Sequence, residues 1–80
     1  MTKEQFVEWA IAKGWTLDRY GHLQRPTKDA NGRDILYRLK LSRIAVRYET
    51  KRSSGWDRLK SGYYSGLSIT PEGKLAGMKY

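Results

Sequence analysis

Eighty residues and 9.3 kDa set a single domain, 1–80, and sixteen Lys+Arg against eight Asp+Glu give a net charge of +8. The absence of cysteine excludes a disulfide framework, a cysteine-based zinc site and thiol catalysis, and a lone histidine, His22, excludes histidine-rich metal sites. No apolar run reaches the roughly 18 residues of a membrane-spanning helix, and the acidic residues within MTKEQFVEWAIAKGW leave no continuous apolar stretch for a signal peptide, so a cytoplasmic protein is expected.

Leu, Ile, Val and Phe total only fifteen residues, a poverty that together with the charge borders on the composition of disordered chains. Three Trp and six Tyr offset it, because each ring buries a large area. The expectation is a folded domain with a thin, aromatic-reinforced core.

Thr2-Lys3-Glu4-Gln5 has the form of a capping box, and Phe6, Val7, Trp9, Ala10 and Ile11 follow at helical spacings. Gly14 is the natural residue to end the helix in a left-handed conformation, with Trp15 folding back onto the last turn. These signals predict a helix over about 2–13 that buries Phe6, Ile11 and either Trp9 or Val7. The period then changes to two. Trp15–Leu17 and His22–Gln24 flank the turn Asp18-Arg19-Tyr20-Gly21, and Pro26–Asp34 reads as a polar loop around Asn31-Gly32. Ile35, Tyr37, Leu39 and Leu41 alternate with polar neighbours. Ile44, Val46 and Tyr48 do so in the opposite phase, which requires a bulge or a tight turn at Ser42-Arg43.

Lys51–Gly55 reads as a basic, flexible loop, and Trp56–Lys60 as a strand with Trp56, Arg58 and Lys60 on one face. Of the neighbours Tyr63 and Tyr64, at most one can be buried, since adjacent strand residues face opposite ways. Leu67–Ile69 is a short strand, Pro71-Glu72-Gly73 a turn, Lys74-Leu75 the last paired residues, and 76–80 a frayed end. The fold class that results is α+β: one N-terminal helix packed on a strongly bent antiparallel sheet of about four to six short strands spanning residues 15–75.

Charge is unevenly placed. Residues 1–37 carry six basic and five acidic side chains, whereas residues 38–80 carry ten and three. Arg38, Lys40, Arg43, Arg47, Lys51, Arg52, Arg58 and Lys60 are opposed only by Glu49 and Asp57, with Arg47, Lys51 or Arg58 as their expected ion-pair partners, and Trp56, Tyr63 and Tyr64 lie among them. Lys and Arg neutralise phosphates and release counterions, and aromatic rings stack on unpaired bases. The expected function is therefore nucleic-acid binding, to DNA or RNA, by the outer sheet face. The expected site is Arg38, Lys40, Arg43, Arg47, Lys51, Arg52, Trp56, Arg58, Lys60, Tyr63 and Tyr64. The alternative is a small phage- or plasmid-type inhibitor or adaptor docking on an acidic protein surface, since a basic patch does not specify its polyanion.

No enzyme is expected, and no cofactor or metal. Asp34 followed by Glu49-Thr50-Lys51 is similar to the magnesium-binding core of one large nuclease superfamily, but that fold flanks its sheet with helices on both sides, and this chain supplies one. His22 near Asp18 reads as a strand histidine beside a turn, with no nucleophile in the pattern.

Overall fold

The computed structural model describes residues 1–80. A helix α1 (Lys3–Ala12) is followed by five strands, β1 (Thr16–Leu17), β2 (Leu23–Lys28), β3 (Asp34–Leu41), β4 (Ala45–Arg52) and β5 (Gly55–Tyr63). A short 3₁₀ turn (Tyr64–Gly66) leads to β6 (Ser68–Ile69) and β7 (Leu75–Ala76). The first five strands form an antiparallel meander in the order β1-β2-β3-β4-β5, and β6 and β7 form a separate ribbon. The fold is α+β as expected, one N-terminal helix packed against an antiparallel sheet of five strands, within the four to six expected, with β6–β7 as an additional two-stranded sheet.

The helix ends are locally determined. Thr2 Oγ1 accepts from the Gln5 amide at 3.1 Å while Gln5 Oε1 accepts from the Thr2 amide at 2.8 Å, closing the capping box. At the other end Gly14 has φ +99°, and the Gly14 and Trp15 amides donate to the carbonyls of Ile11 and Ala10, both amides reaching back into the last turn. Phe6 and Ala10 are buried, Val7 and Trp9 partly so, but Ile11 is 52% exposed, contrary to its expected place in the core. The buried stripe runs from Phe6 to Ala10, and Ile11 lies to its side. Trp9 is held by donating from Nε1 to the Gly73 carbonyl at 3.0 Å, which ties the helix to the β6–β7 turn.

The inner face of the sheet packs Leu23, Leu39, Leu41 and Val46 against Phe6 and Ala10, with Trp15, Tyr64 and Leu67 completing the core. Tyr37 and Tyr48 stack at 5.4 Å beside it. The change of phase at residue 42 is a tight turn. The Ser42 amide donates to the Ala45 carbonyl, and Leu39 pairs with Tyr48 and Leu41 with Val46, so both alternations face inward. Ile44 sits in the turn itself and is 58% exposed, unlike Val46 and Tyr48.

Two segments expected as loops are strands. Residues Pro26–Lys28 extend β2 and pair with Asp34–Leu36 of β3. Proline is accommodated because β1 covers only Leu23 and Gln24, leaving the far end of β2 as a sheet edge that needs no outward N–H. Lys51 and Arg52 complete β4, opposite Trp56 and Gly55, and only Ser53-Ser54 remain as the turn. The C-terminus, expected to fray, is tied down: Ser61 and Lys79 exchange two backbone hydrogen bonds of 2.7 and 2.8 Å along the outer edge of β5.

In the β1–β2 turn, the Asp18 carboxylate accepts from the backbone amides of Tyr20 and His22 at 2.8 and 2.9 Å and from Gln24 Nε2 at 3.0 Å. These bonds, that from His22 foremost, hold its pKa below the usual 3.8 against a smaller opposing effect of desolvation. A folded-state pKa below the unfolded one contributes stability that is present above 3.8 and lost as pH falls through the lowered value. Asp18→Asn is therefore expected to lower Tm at neutral pH and to approach the parent protein in strong acid. A Tm difference that stays constant through the acid range would refute the assignment.

Candidate functional site

The strand pairings sort the basic segment onto two faces. On the outer face Arg38 lies opposite Glu49, Lys40 opposite Arg47, and Ala45 opposite Tyr63, with Arg47 also beside Ser61. Between Tyr48 and Glu49 the β4–β5 register shifts: Tyr48 pairs with Lys60 and Glu49 with Arg58, leaving Leu59 unpaired as a bulge. The extra residue reverses the alternation along β5. Trp56 and Arg58 project outward with Lys51 and Glu49, whereas Lys60 turns inward with Tyr48, correcting the expectation that all three β5 side chains share a face. Lys60 there lines an apolar cavity with Trp9, Trp15 and Leu39, and its ammonium lies 5.1 Å from the Tyr80 ring centroid.

The two neighbouring tyrosines separate where β5 ends at Tyr63 and the 3₁₀ turn begins at Tyr64. Tyr63 is 64% exposed, and Tyr64 is buried, its hydroxyl donating to the Ser42 carbonyl at 2.9 Å. Burial pushes the Tyr64 phenol above its ordinary pKa of 10.0. Tyr64 is thus a core residue and Tyr63 the surface ring.

Arg38 and Trp56 form a compact unit with Glu49. The Arg38 guanidinium donates from Nε and Nη2 to Glu49 Oε1 at 2.9 and 2.6 Å, and it lies 4.0 Å from the Trp56 ring centroid. Lys51 Nζ approaches the same ring at 5.4 Å. Glu49 is buried as a result, and the Arg38 charge is compensated within the protein rather than offered to a ligand. Arg52 is paired with Asp57 at 3.0 Å, both side chains more than half exposed. The partners of Glu49 and Asp57 are therefore Arg38 and Arg52, not Arg47, Lys51 or Arg58. Within the expected site the outer-face cations without an ion-pair partner are Lys40, Arg47, Lys51 and Arg58. Arg43 is also without an ion-pair partner but stands in the β3–β4 turn, lining a pocket with Thr2 and Lys3 at the start of α1.

One basic residue escaped the sequence reading. The pairing of Lys79 with Ser61 brings its side chain to a polar groove of about 650 Å³ that Arg47, Arg58 and Tyr63 also line. Nothing in the local sequence marks it, because a contact across eighteen positions depends on where the terminal segment crosses the sheet.

Of the nuclease-like pattern, Asp34 and Lys51 line one surface pocket with Asp29, but Glu49 is not among its lining residues. Asp34 is paired with Lys28 at 2.7 Å, Glu49 is bonded to Arg38, and no group of three or more His, Asp or Glu gathers anywhere in the chain. His22 accepts the Leu41 amide on Nδ1 at 3.1 Å, and Asp18 is bonded by the His22 backbone rather than its ring. No helix is long and apolar enough to cross a membrane. Comparison with protein-family models, curated proteins and solved structures returns no match.

Proposed function

We propose that the protein binds nucleic acid through the outer face of the β3–β4–β5 sheet and has no catalytic activity of its own. The observation that carries this reading is the set of unpaired outer cations, Lys40, Arg47, Lys51 and Arg58, spread over adjacent strands beside one exposed ring, Tyr63, with Arg43 unpaired in the adjoining β3–β4 turn. Cations without internal partners are free to neutralise phosphates, and their spacing along and across strands suits an extended polyanion better than a point charge. The Arg38–Glu49–Trp56 unit lies on the same face with its charge already compensated, and adds no free cation.

The test is titration of labelled single- and double-stranded DNA and RNA over a salt series. Affinity is expected to fall steeply with salt, with a log–log slope of about 0.7 per phosphate neutralised on single strands and about 0.9 on duplex. Lys40→Gln and Lys51→Gln are each expected to weaken binding to every sequence alike and to lower that slope by roughly one contact. Absence of binding to all four polymers at low salt would overturn the proposal and favour an acidic protein surface as the partner. The DNA and RNA are expected to remain intact on prolonged incubation with Mg²⁺; reproducible cleavage by purified protein would refute the non-catalytic part.

A further inference from the structure

We infer that the groove between β5 and the C-terminal segment is a subsite for a single unpaired nucleotide, its phosphate held by Arg47, Arg58 and Lys79 and its base against Tyr63. The inference rests on the nucleic-acid reading and deepens it by naming the unit recognised. The groove measures about 650 Å³, within the range of roughly 300–1,000 Å³ typical of small-ligand clefts. Its wall carries three cations and no carboxylate. None of the three has an ion-pair partner, so an entering phosphate meets positive charge that no internal anion has already compensated.

Tyr63 adds a second, different contact. Its side chain is 64% exposed and its ring packs on no other aromatic in the molecule, so a face is free for stacking. Stacking on such a ring requires a base face that a duplex interior keeps covered, which selects an unpaired nucleotide over a paired one. Small residues make room beside it: Gly62, Gly66 and Gly77 line the groove, with the hydroxyl-bearing Ser61 and Ser65. Gly77 has φ +107°, and a Cβ there would collide with the Gly66 carbonyl, so the close crossing that places Lys79 in the groove depends on glycine.

The experiment follows backbone amide shifts of the full chain on titration with thymidine 5′-monophosphate, thymidine and inorganic phosphate. The monophosphate is expected to shift Ser61, Tyr63, Gly66 and Lys79 amides, and each half-probe to bind more weakly than the whole. Lys79→Gln, which leaves the backbone bridge to Ser61 in place, is expected to weaken the monophosphate several-fold and leave thymidine unaffected. Tyr63→Ala is expected to weaken a single-stranded oligonucleotide by about 5- to 100-fold with little change in salt slope, and to leave duplex binding unaltered. If the monophosphate moves none of these amides, or if both variants bind it as the parent does, the subsite is refuted. Retention of salt-dependent oligonucleotide binding that Lys40→Gln weakens would then show that the outer-face reading survives without it. Failure of every oligonucleotide to bind at low salt would remove both.

Discussion

Phe6→Ala is expected to destabilise the protein by about 3–5 kcal/mol, the range for deleting a buried aromatic ring. Phe6 is fully buried, and its ring centroid lies 5.8 Å from those of both Trp9 and Tyr64, so one side chain joins the helix to itself and to the end of the sheet. A chain of 80 residues is held by roughly 4–12 kcal/mol, taking about 0.05–0.15 kcal/mol per residue. The substitution therefore removes about a quarter of the total or more, and the urea midpoint should fall accordingly or the transition disappear. Ile11→Ala, on the same helix but more than half exposed, should change stability by no more than about 0.5 kcal/mol. Equal effects at the two positions would show that the helix presents a different face to the sheet.

The second large effect is expected at the Arg38–Glu49 pair. Its side chains are 17% and 5% exposed, so removing either partner leaves a charge that water reaches poorly. Arg38→Ala and Glu49→Gln are each expected to cost about 3–5 kcal/mol, whereas replacing both with apolar residues of similar size should restore much of the loss, because neither charge is then left unpaired. Arg38→Ala also uncovers Trp56, and its emission should shift to longer wavelength. Strict additivity of the two single substitutions in a double-mutant cycle would refute the coupling. The same chemistry makes Arg38 a poor probe of ligand binding: its removal acts first on the fold, and any loss of affinity must be read on protein shown to be native. The exposed Arg52–Asp57 pair should contribute about 0–1 kcal/mol, since solvent screens both groups.

The helix, most turns and the inward alternation of β3 and β4 were legible because their causes are local. A capping box closes over four residues, a helix-ending glycine acts within one turn, and alternation along a strand needs only neighbours two apart. The change of phase at Ser42-Arg43 was legible for the same reason, as was the rule that at most one of Tyr63 and Tyr64 is buried, though not which of them. The uneven distribution of positive charge required only counting.

Which of those charges are free was decided by tertiary structure. Glu49 could have met any of several arginines; the β3–β4 register places Arg38 opposite it, and the β4–β5 pairing brings the Trp56 ring against the Arg38 guanidinium. Leu59 carries no mark of a bulge, yet the slip there turns Lys60 inward and sends Trp56 and Arg58 outward. Pro26 reads as a loop residue until the shortness of β1 exposes the β2 edge that accepts it. Lys79 joins the groove only because the chain returns along β5. Local sequence sets the hydrogen bonds a segment makes with itself and the faces it would present. The register between segments is settled by the joint packing of side chains from several strands, and at this sheet a shift of one residue carries a cation from the outer face to the inner one.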